Sequence, residues 1–180
     1  MTYQGNNVYI VSGPAGVGKS TTSKALVTSF QRSAYLSGDY ISHMHIKGRQ
    51  KPWESKEELS LIWNNILCLT QNFLKNGNDV VIDYVTFPEE AKWLRDQLKD
   101  LQVEVIYAVL WARDEILLER DRMRKKEHHM GERCLILAQE FKESGLDEKH
   151  LIDTSLCTVQ DIPKLIDDIK NDPKYIVEQN

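Results

Sequence analysis

Cysteine is scarce in this chain: Cys68, Cys134 and Cys157 are the only three in 180 residues, widely separated and without a C-x-x-C pair. An odd count at such spacing excludes a disulfide framework and a zinc site, and predicts reduced thiols serving as small core residues. Long apolar runs are also missing, since none approaches the roughly 20 residues of a membrane span. The first seven residues, Met1 to Asn7, are polar and carry no basic side chain, so a targeting leader is not expected and the cytoplasm is the expected compartment. Positive charge is in deficit, with 23 Lys and Arg against 27 Asp and Glu, a net charge of −4 and a pI near 5.8. That balance offers no overall attraction to nucleic acid or an anionic membrane. Outside residues 120–140 no basic stripe with interleaved aromatics exists to track a strand, so nucleic acid is not an expected partner. What remains is an ordinary globular composition, 41% hydrophobic and 28% charged, in a length that suits one domain over residues 1–180.

The informative stretch is Val8 to Thr21, in which an apolar run leads into Gly13, Pro14, Ala15, Gly16, Val17, Gly18, Lys19, Ser20 and Thr21. The pattern G-x-x-x-x-G-K-[ST] is filled by Gly13, Gly18, Lys19 and Ser20, between a strand and a helix. Glycine permits the backbone bend that lets successive N–H groups converge on one anion. The helix that begins near Gly18 adds its own free N–H groups. Lys19 is expected to bridge the β- and γ-phosphates of ATP, and the Ser20 hydroxyl to ligate Mg²⁺.

Further along, Ser33 to Ser37 reads as a second strand with Gly38-Asp39 at its carboxyl end, the edge where open α/β sheets bind ligands. Asp39 is well placed to accept the proton of an attacking hydroxyl or to hold a Mg²⁺-bound water, with a cap on the helix that follows as the alternative. Tyr40 to Trp53 has no clear period and reads as a substrate-side loop. From Ser55 to Asn76-Gly77 apolar residues recur at helical steps. Asp79 to Asp83 reads as a buried strand ending in a second carboxylate, Asp83, suited to water-mediated Mg²⁺ binding or to the acceptor. Pro88 to Leu101 reads as a helix, and Val103 to Trp111 as a strand beside the cradle strand. Asp114 to Lys126 reads as an arginine-rich helix in which Arg120 and Arg124, four apart, share a face. Its cations suit either a helix carboxyl end or a clamp on the transferring phosphoryl group. A polar stretch with His128, His129 and Gly131 follows, then a helix from Cys134 to Glu143. Residues 120–140 together read as a lid that excludes water. Adjacent histidines point apart, so a metal site at His128-His129 is not expected. His150 to Thr154 reads as the last strand, Asp161 to Lys170 as the last helix, and 171–180 as a partly mobile tail.

With five strands alternating with helices and a lid, the chain resembles the small P-loop kinases of the nucleoside monophosphate kinase type. Within them it is similar to gluconate kinases in Gly38-Asp39, Lys51-Pro52-Trp53 and the Arg120/Arg124 pair. It is similar to chloramphenicol phosphotransferases in Gly131-Glu132-Arg133, Ala138 and Ile152-Asp153-Thr154. The resemblance implies a P-loop NTPase three-layer α/β/α sandwich with a five-stranded parallel sheet in the order 2-3-1-4-5 and a helical lid. It further implies ATP and Mg²⁺ as cofactors, Asp39 as base, and Lys19, Arg120, Arg124 and Arg133 as phosphate-handling residues. The expected activity is phosphoryl transfer to a hydroxyl of a small molecule, a sugar acid or an antibiotic-like acceptor. A nucleoside or nucleotide kinase and a non-kinase ATPase or switch are the alternatives; a GTPase would carry an Asn-Lys-x-Asp segment, which is absent. Monomer and dimer remain equally compatible with the sequence.

Overall fold

The first strand is buried along its whole length, and its side chains alternate between two faces. In the computed structural model, which describes residues 6–126 and 129–178, β1 (Val8–Ser12) turns Val8 and Ile10 into one apolar cluster and Tyr9 and Val11 into another. A strand buried on both faces must lie inside a sheet covered on both sides. Accordingly β1 pairs in parallel with β3 (Asp79–Asp83) and β4 (Val105–Trp111), while β2 (Ser33–Ser37) and β5 (Leu151–Asp153) form the edges. The order is β2-β3-β1-β4-β5.

Each parallel crossover carries a helix. Helices α1 (Lys19–Thr28) and α7 (Ile162–Asn171) pack together over one face of the sheet, and α3 (Lys56–Lys75) and α4 (Pro88–Leu98) over the other. The short α2 (Gly38–Ser42) follows β2, and α5 (Asp114–Arg122) and α6 (Arg133–Glu143) pack against each other. Local chemistry marks the boundaries. Ser55 caps α3 by accepting from the Glu58 N–H, and Pro88 opens α4 where a missing N–H costs nothing.

Four expectations are corrected. The arginine-rich helix ends at Arg122, not Lys126, so Arg124 lies beyond it and does not share a helical face with Arg120. Asp39 is not the cap of α2; Ser37 is, accepting from the Tyr40 N–H at 3.3 Å, and Asp39 stands in the first turn. The tail is docked through residue 178. Tyr175 and Val177 are buried, the Val177 N–H donates to the Val105 carbonyl at 2.9 Å, and Ile176 bridges Ile106. Apolar burial and a strand-edge hydrogen bond hold it, which its polar composition concealed. Cys68 is exposed rather than a core residue, whereas Cys134 is buried. His128 lies outside the described residues, and no helix among them is long and apolar enough to cross a membrane.

Candidate functional site

The loop between β1 and α1 is shaped by backbone it could not adopt with ordinary residues. Gly13 has φ +130°, and a Cβ there would lie 2.2 Å from the Leu110 carbonyl oxygen on β4. Gly18 has φ +107° and stands in open space, so only its backbone conformation demands glycine. It is the N-cap of α1 and offers no side chain to the helix's first N–H groups. Those donors therefore face outward with the positive end of the helix dipole, an arrangement that suits an anion.

Lys19 donates from Nζ to the Gly13 and Pro14 carbonyls, each at 2.9 Å. Enclosure of its ammonium lowers the Lys19 pKa from the ordinary lysine value, and the nearby Asp83 and Asp39 carboxylates offset part of that effect. Ser20, exposed at the start of α1, lines the same cavity as Asp39 and Asp83. Asp83 is buried at the end of β3 and accepts from the Tyr35 hydroxyl of β2 at 2.6 Å. Burial and that carboxylate push the Tyr35 phenol upward, which keeps it a donor.

The cavity has a volume of about 730 Å3 and runs continuously past the cradle. Its lining joins Ala15 through Thr21 of the cradle with Arg120, Met123, Thr154 and Cys157 to Val159, and with Asp39, Arg49, Trp53 and Tyr84. Gly13 and Pro14 supply the carbonyls that hold Lys19.

The arginines do not converge as a pair. Arg120 spends its guanidinium on the Thr154 carbonyl at 2.6 Å, the Thr154 hydroxyl at 3.0 Å and the Val17 carbonyl at 3.2 Å, tying the loop after β5 to the cradle. Arg124 lines the cavity and meets Asp121 at 3.4 Å. Arg133 pairs with Glu140 at 3.0 Å, lies 5.6 Å from the centre of the Trp53 ring and lines the cavity.

Asp121, on α5, drew no attention in the sequence. Buried, it accepts from the Gly131 N–H at 2.9 Å and the Met130 N–H at 3.0 Å, and so fastens the segment between α5 and α6. Burial pushes this carboxyl up, but the two N–H groups and Arg124 outweigh it and hold the pKa below the usual value. Its backbone also packs against Gly16 of the cradle, where a Cβ would lie 3.5 Å from the Asp121 nitrogen. Burial, with Asp121 beside it, pushes the Cys134 thiol up to about 11.

Tyr84 was missed as well. A Cβ on Gly38 would fall 2.2 Å from its ring, so the aromatic face is seated on the backbone next to Asp39. The signal was an aromatic immediately after the strand-ending Asp83. Thr86 is a further case: its backbone exchanges hydrogen bonds with the Ser12 hydroxyl at 2.7 and 2.8 Å, locking the end of β1 to the loop after β3.

Comparison with known proteins agrees with this architecture. No curated protein matches the sequence. Among solved structures, the chain is similar to the Deinococcus radiodurans tunicamycin resistance protein, with 18% identity and a TM-score of 0.64 over 92% of this chain and 96% of that one. A gluconokinase from Sinorhizobium meliloti 1021 gives 16% identity and a TM-score of 0.64 over 92% and 90%. The Mycobacterium tuberculosis APS kinase CysC, solved with AMPPNP and APS, gives 13% and 0.60 over 92% and 98%. At such identities the likeness concerns the fold, which is that of the kinase-like P-loop NTPases. A family model described as an AAA domain matches residues 8–139, most of the chain, and the chain belongs to that family.

Proposed function

We propose that this chain is an ATP-dependent phosphotransferase whose acceptor is a hydroxyl of a small molecule. The observation that carries the reading is that one cavity takes in the loop after β5, the cradle and the carboxylates of Asp39 and Asp83. A nucleotide with its phosphates along Gly13–Ser20 and its base toward the loop after β5 leaves the space beside Asp39 and Trp53 to an acceptor. An acceptor there stands next to a carboxylate, which a site for hydrolysis alone does not need.

The roles follow from the chemistry of the side chains. Backbone N–H groups of Gly16 to Thr21 hold the β- and γ-phosphates, and Lys19 exchanges two carbonyl partners for phosphate oxygens. Arg120 holds the loop after β5 in place at the base end of the nucleotide. Arg124 is the cation available to the γ-phosphoryl group once it leaves Asp121. Asp39 takes the acceptor proton as the hydroxyl oxygen bonds to the γ-phosphorus and the bond to the β,γ-bridging oxygen breaks, giving ADP and a phosphate ester. Arg133 belongs to the acceptor chamber rather than to the nucleotide.

Ser20, Asp83 and Asp39 supply hard oxygen donors around one space, the donor type that Mg²⁺ selects, and Asp83 commits one oxygen to Tyr35. Bound there, the ion supplies charge neutralisation on the β- and γ-phosphates. Asp121 holds the α5–α6 segment as a lid that excludes water from the site.

The test is ATP consumption measured against a panel of sugars, sugar acids, aminoglycosides, chloramphenicol and nucleosides. Turnover that requires one class of alcohol supports the reading. Equal turnover without any acceptor would favour an ATPase.

A further inference from the structure

Tyr35 stands behind the oxygen donors of the site rather than among them: it reaches Asp83 but does not line the cavity. Resting on the phosphotransfer reading and its Mg²⁺, we propose that Tyr35 is a positioning residue for the metal. Its hydroxyl fixes the Asp83 carboxylate so that the second oxygen is presented to the ion.

The placement follows from the period of the sheet. β2 and β3 run in parallel with Tyr35 opposite Val81 and Ser37 opposite Asp83. Side chains alternate along a strand, so Tyr35, Val81 and Asp83 share one face. Val11 of β1 stands opposite Asp83 on that face, and Val11, Val81 and Leu26 of α1 belong to one apolar cluster. This is therefore the face that α1 covers, and Ser20 lies in the first turn of α1. Tyr35 and Asp83 are diagonal neighbours across the two strands. The long phenol spans that step and donates to Asp83 Oδ2 at 2.6 Å, the length of a hydrogen bond to a charged oxygen. The Ser20 hydroxyl is a near neighbour of the same phenol.

Asp83 is buried, and among the described residues Tyr35 is the one group that donates a hydrogen bond to its carboxylate. Lys19, whose charge Asp83 feels, donates instead to the Gly13 and Pro14 carbonyls. The phenol alone thus restrains the turn of the carboxylate. Mg²⁺ demands near-ideal octahedral geometry, so a ligand held at one orientation binds it better than one that must be ordered on binding. Tyr40 of α2 meets the Tyr35 ring edge-on with centres 6.5 Å apart, which braces the ring independently of the hydroxyl. Tyr35→Phe keeps that contact and removes only the donor.

The test is calorimetry of AMPPNP on the full chain, in EDTA and with saturating Mn²⁺, a probe that takes the same oxygen ligands as Mg²⁺. The ratio of the two dissociation constants is the gain that the metal confers. In Tyr35→Phe the gain is expected to fall about tenfold, with affinity in EDTA within twofold of wild type. A fall smaller than fivefold overturns the proposal and leaves Tyr35 as packing for the edge strand. So does a loss of affinity in EDTA that accounts for the whole change. Asp83→Asn supplies the second check. Adding Tyr35→Phe to it is expected to lower the gain by no more than a further twofold, because the phenol acts through that carboxylate; a larger additional loss overturns the proposal. Failure of the metal assignment beneath it looks different: Mn²⁺ gives wild type no gain, or Asp83→Asn keeps the full gain. Failure of the transfer reading is different again, with the gain intact but phosphate passed to no alcohol.

Discussion

The two ends of the cavity are built from different materials. The end proposed for the nucleotide is backbone, with N–H groups offered by Gly16 to Thr21, a loop bent at Gly13 and Gly18, and carbonyls that hold Lys19. The end proposed for the acceptor is side chain, contributed by the loop before α3, the segment after β3 and α6, which lie far apart in sequence. A site made of backbone needs a fixed run of residues that allow its dihedrals, so it appears in the sequence as a motif. One assembled from distant side chains leaves no local pattern.

Substitution at the cradle should have the largest effect. Gly13→Ala sets a Cβ against the Leu110 carbonyl at φ +130° and is expected to cost at least about 3 kcal/mol, from strain and displacement of the loop from β4. Thermal denaturation checks it, and a variant within 0.5 kcal/mol of wild type would show that the loop yields more easily than its contacts imply.

Next comes Lys19→Ala, which removes one charged hydrogen-bonding group without opening the core. Affinity for ATP with Mg²⁺ should fall about 10- to 100-fold by calorimetry, with the melting temperature little changed. Unchanged affinity would remove the cradle assignment.

Asp121→Ala sharpens the comparison at the lid. It strips the Met130 and Gly131 N–H groups of their acceptor. The expected outcome is a loss of about 1–3 kcal/mol in stability and a roughly tenfold fall in kcat, with ADP affinity kept within threefold. A loss in ADP affinity as large as the loss in kcat would place Asp121 in the cradle rather than the lid.

The smallest effect is a pH dependence. Enclosure lowers the Lys19 pKa in the free protein, and phosphates restore the charged form, so binding takes up a proton. Nucleotide affinity should be level at low pH and decline on the alkaline side, beginning below the ordinary lysine value, by at most about tenfold per pH unit. Lys19→Arg, which stays charged, should flatten the decline.

These differences explain what was legible in the sequence. Strands ending in Asp83 and Trp111 could be read because strands buried on both faces are continuous apolar runs, and Ser55 and Pro88 marked their helices through capping chemistry. Five strands and the resemblance they carried led to the observed order. The end of α5 was not legible: Arg122 to Lys126 is a run of good helix formers, and the chain leaves the helix where the Asp121 carboxylate draws in Met130 and Gly131 from nine and ten residues away. Nor was the docked tail, whose Tyr175 and Val177 are two apolar residues in a polar stretch, fixed by β4 and by burial. Arg120 shows the same limit. Its type and position suggested a phosphate clamp, but the Thr154 and Val17 carbonyls that occupy it are set by the fold.

The central claim is that one cavity joins a phosphoryl donor to an acceptor hydroxyl beside Asp39. It is tested most directly by Asp39→Asn, assayed for ATP affinity and for transfer to the first alcohol found to accept phosphate. ATP affinity within threefold of wild type, with transfer reduced at least 100-fold, is the expected result. Transfer at the wild-type rate would contradict the account, as would hydrolysis that proceeds equally in both proteins with no acceptor present.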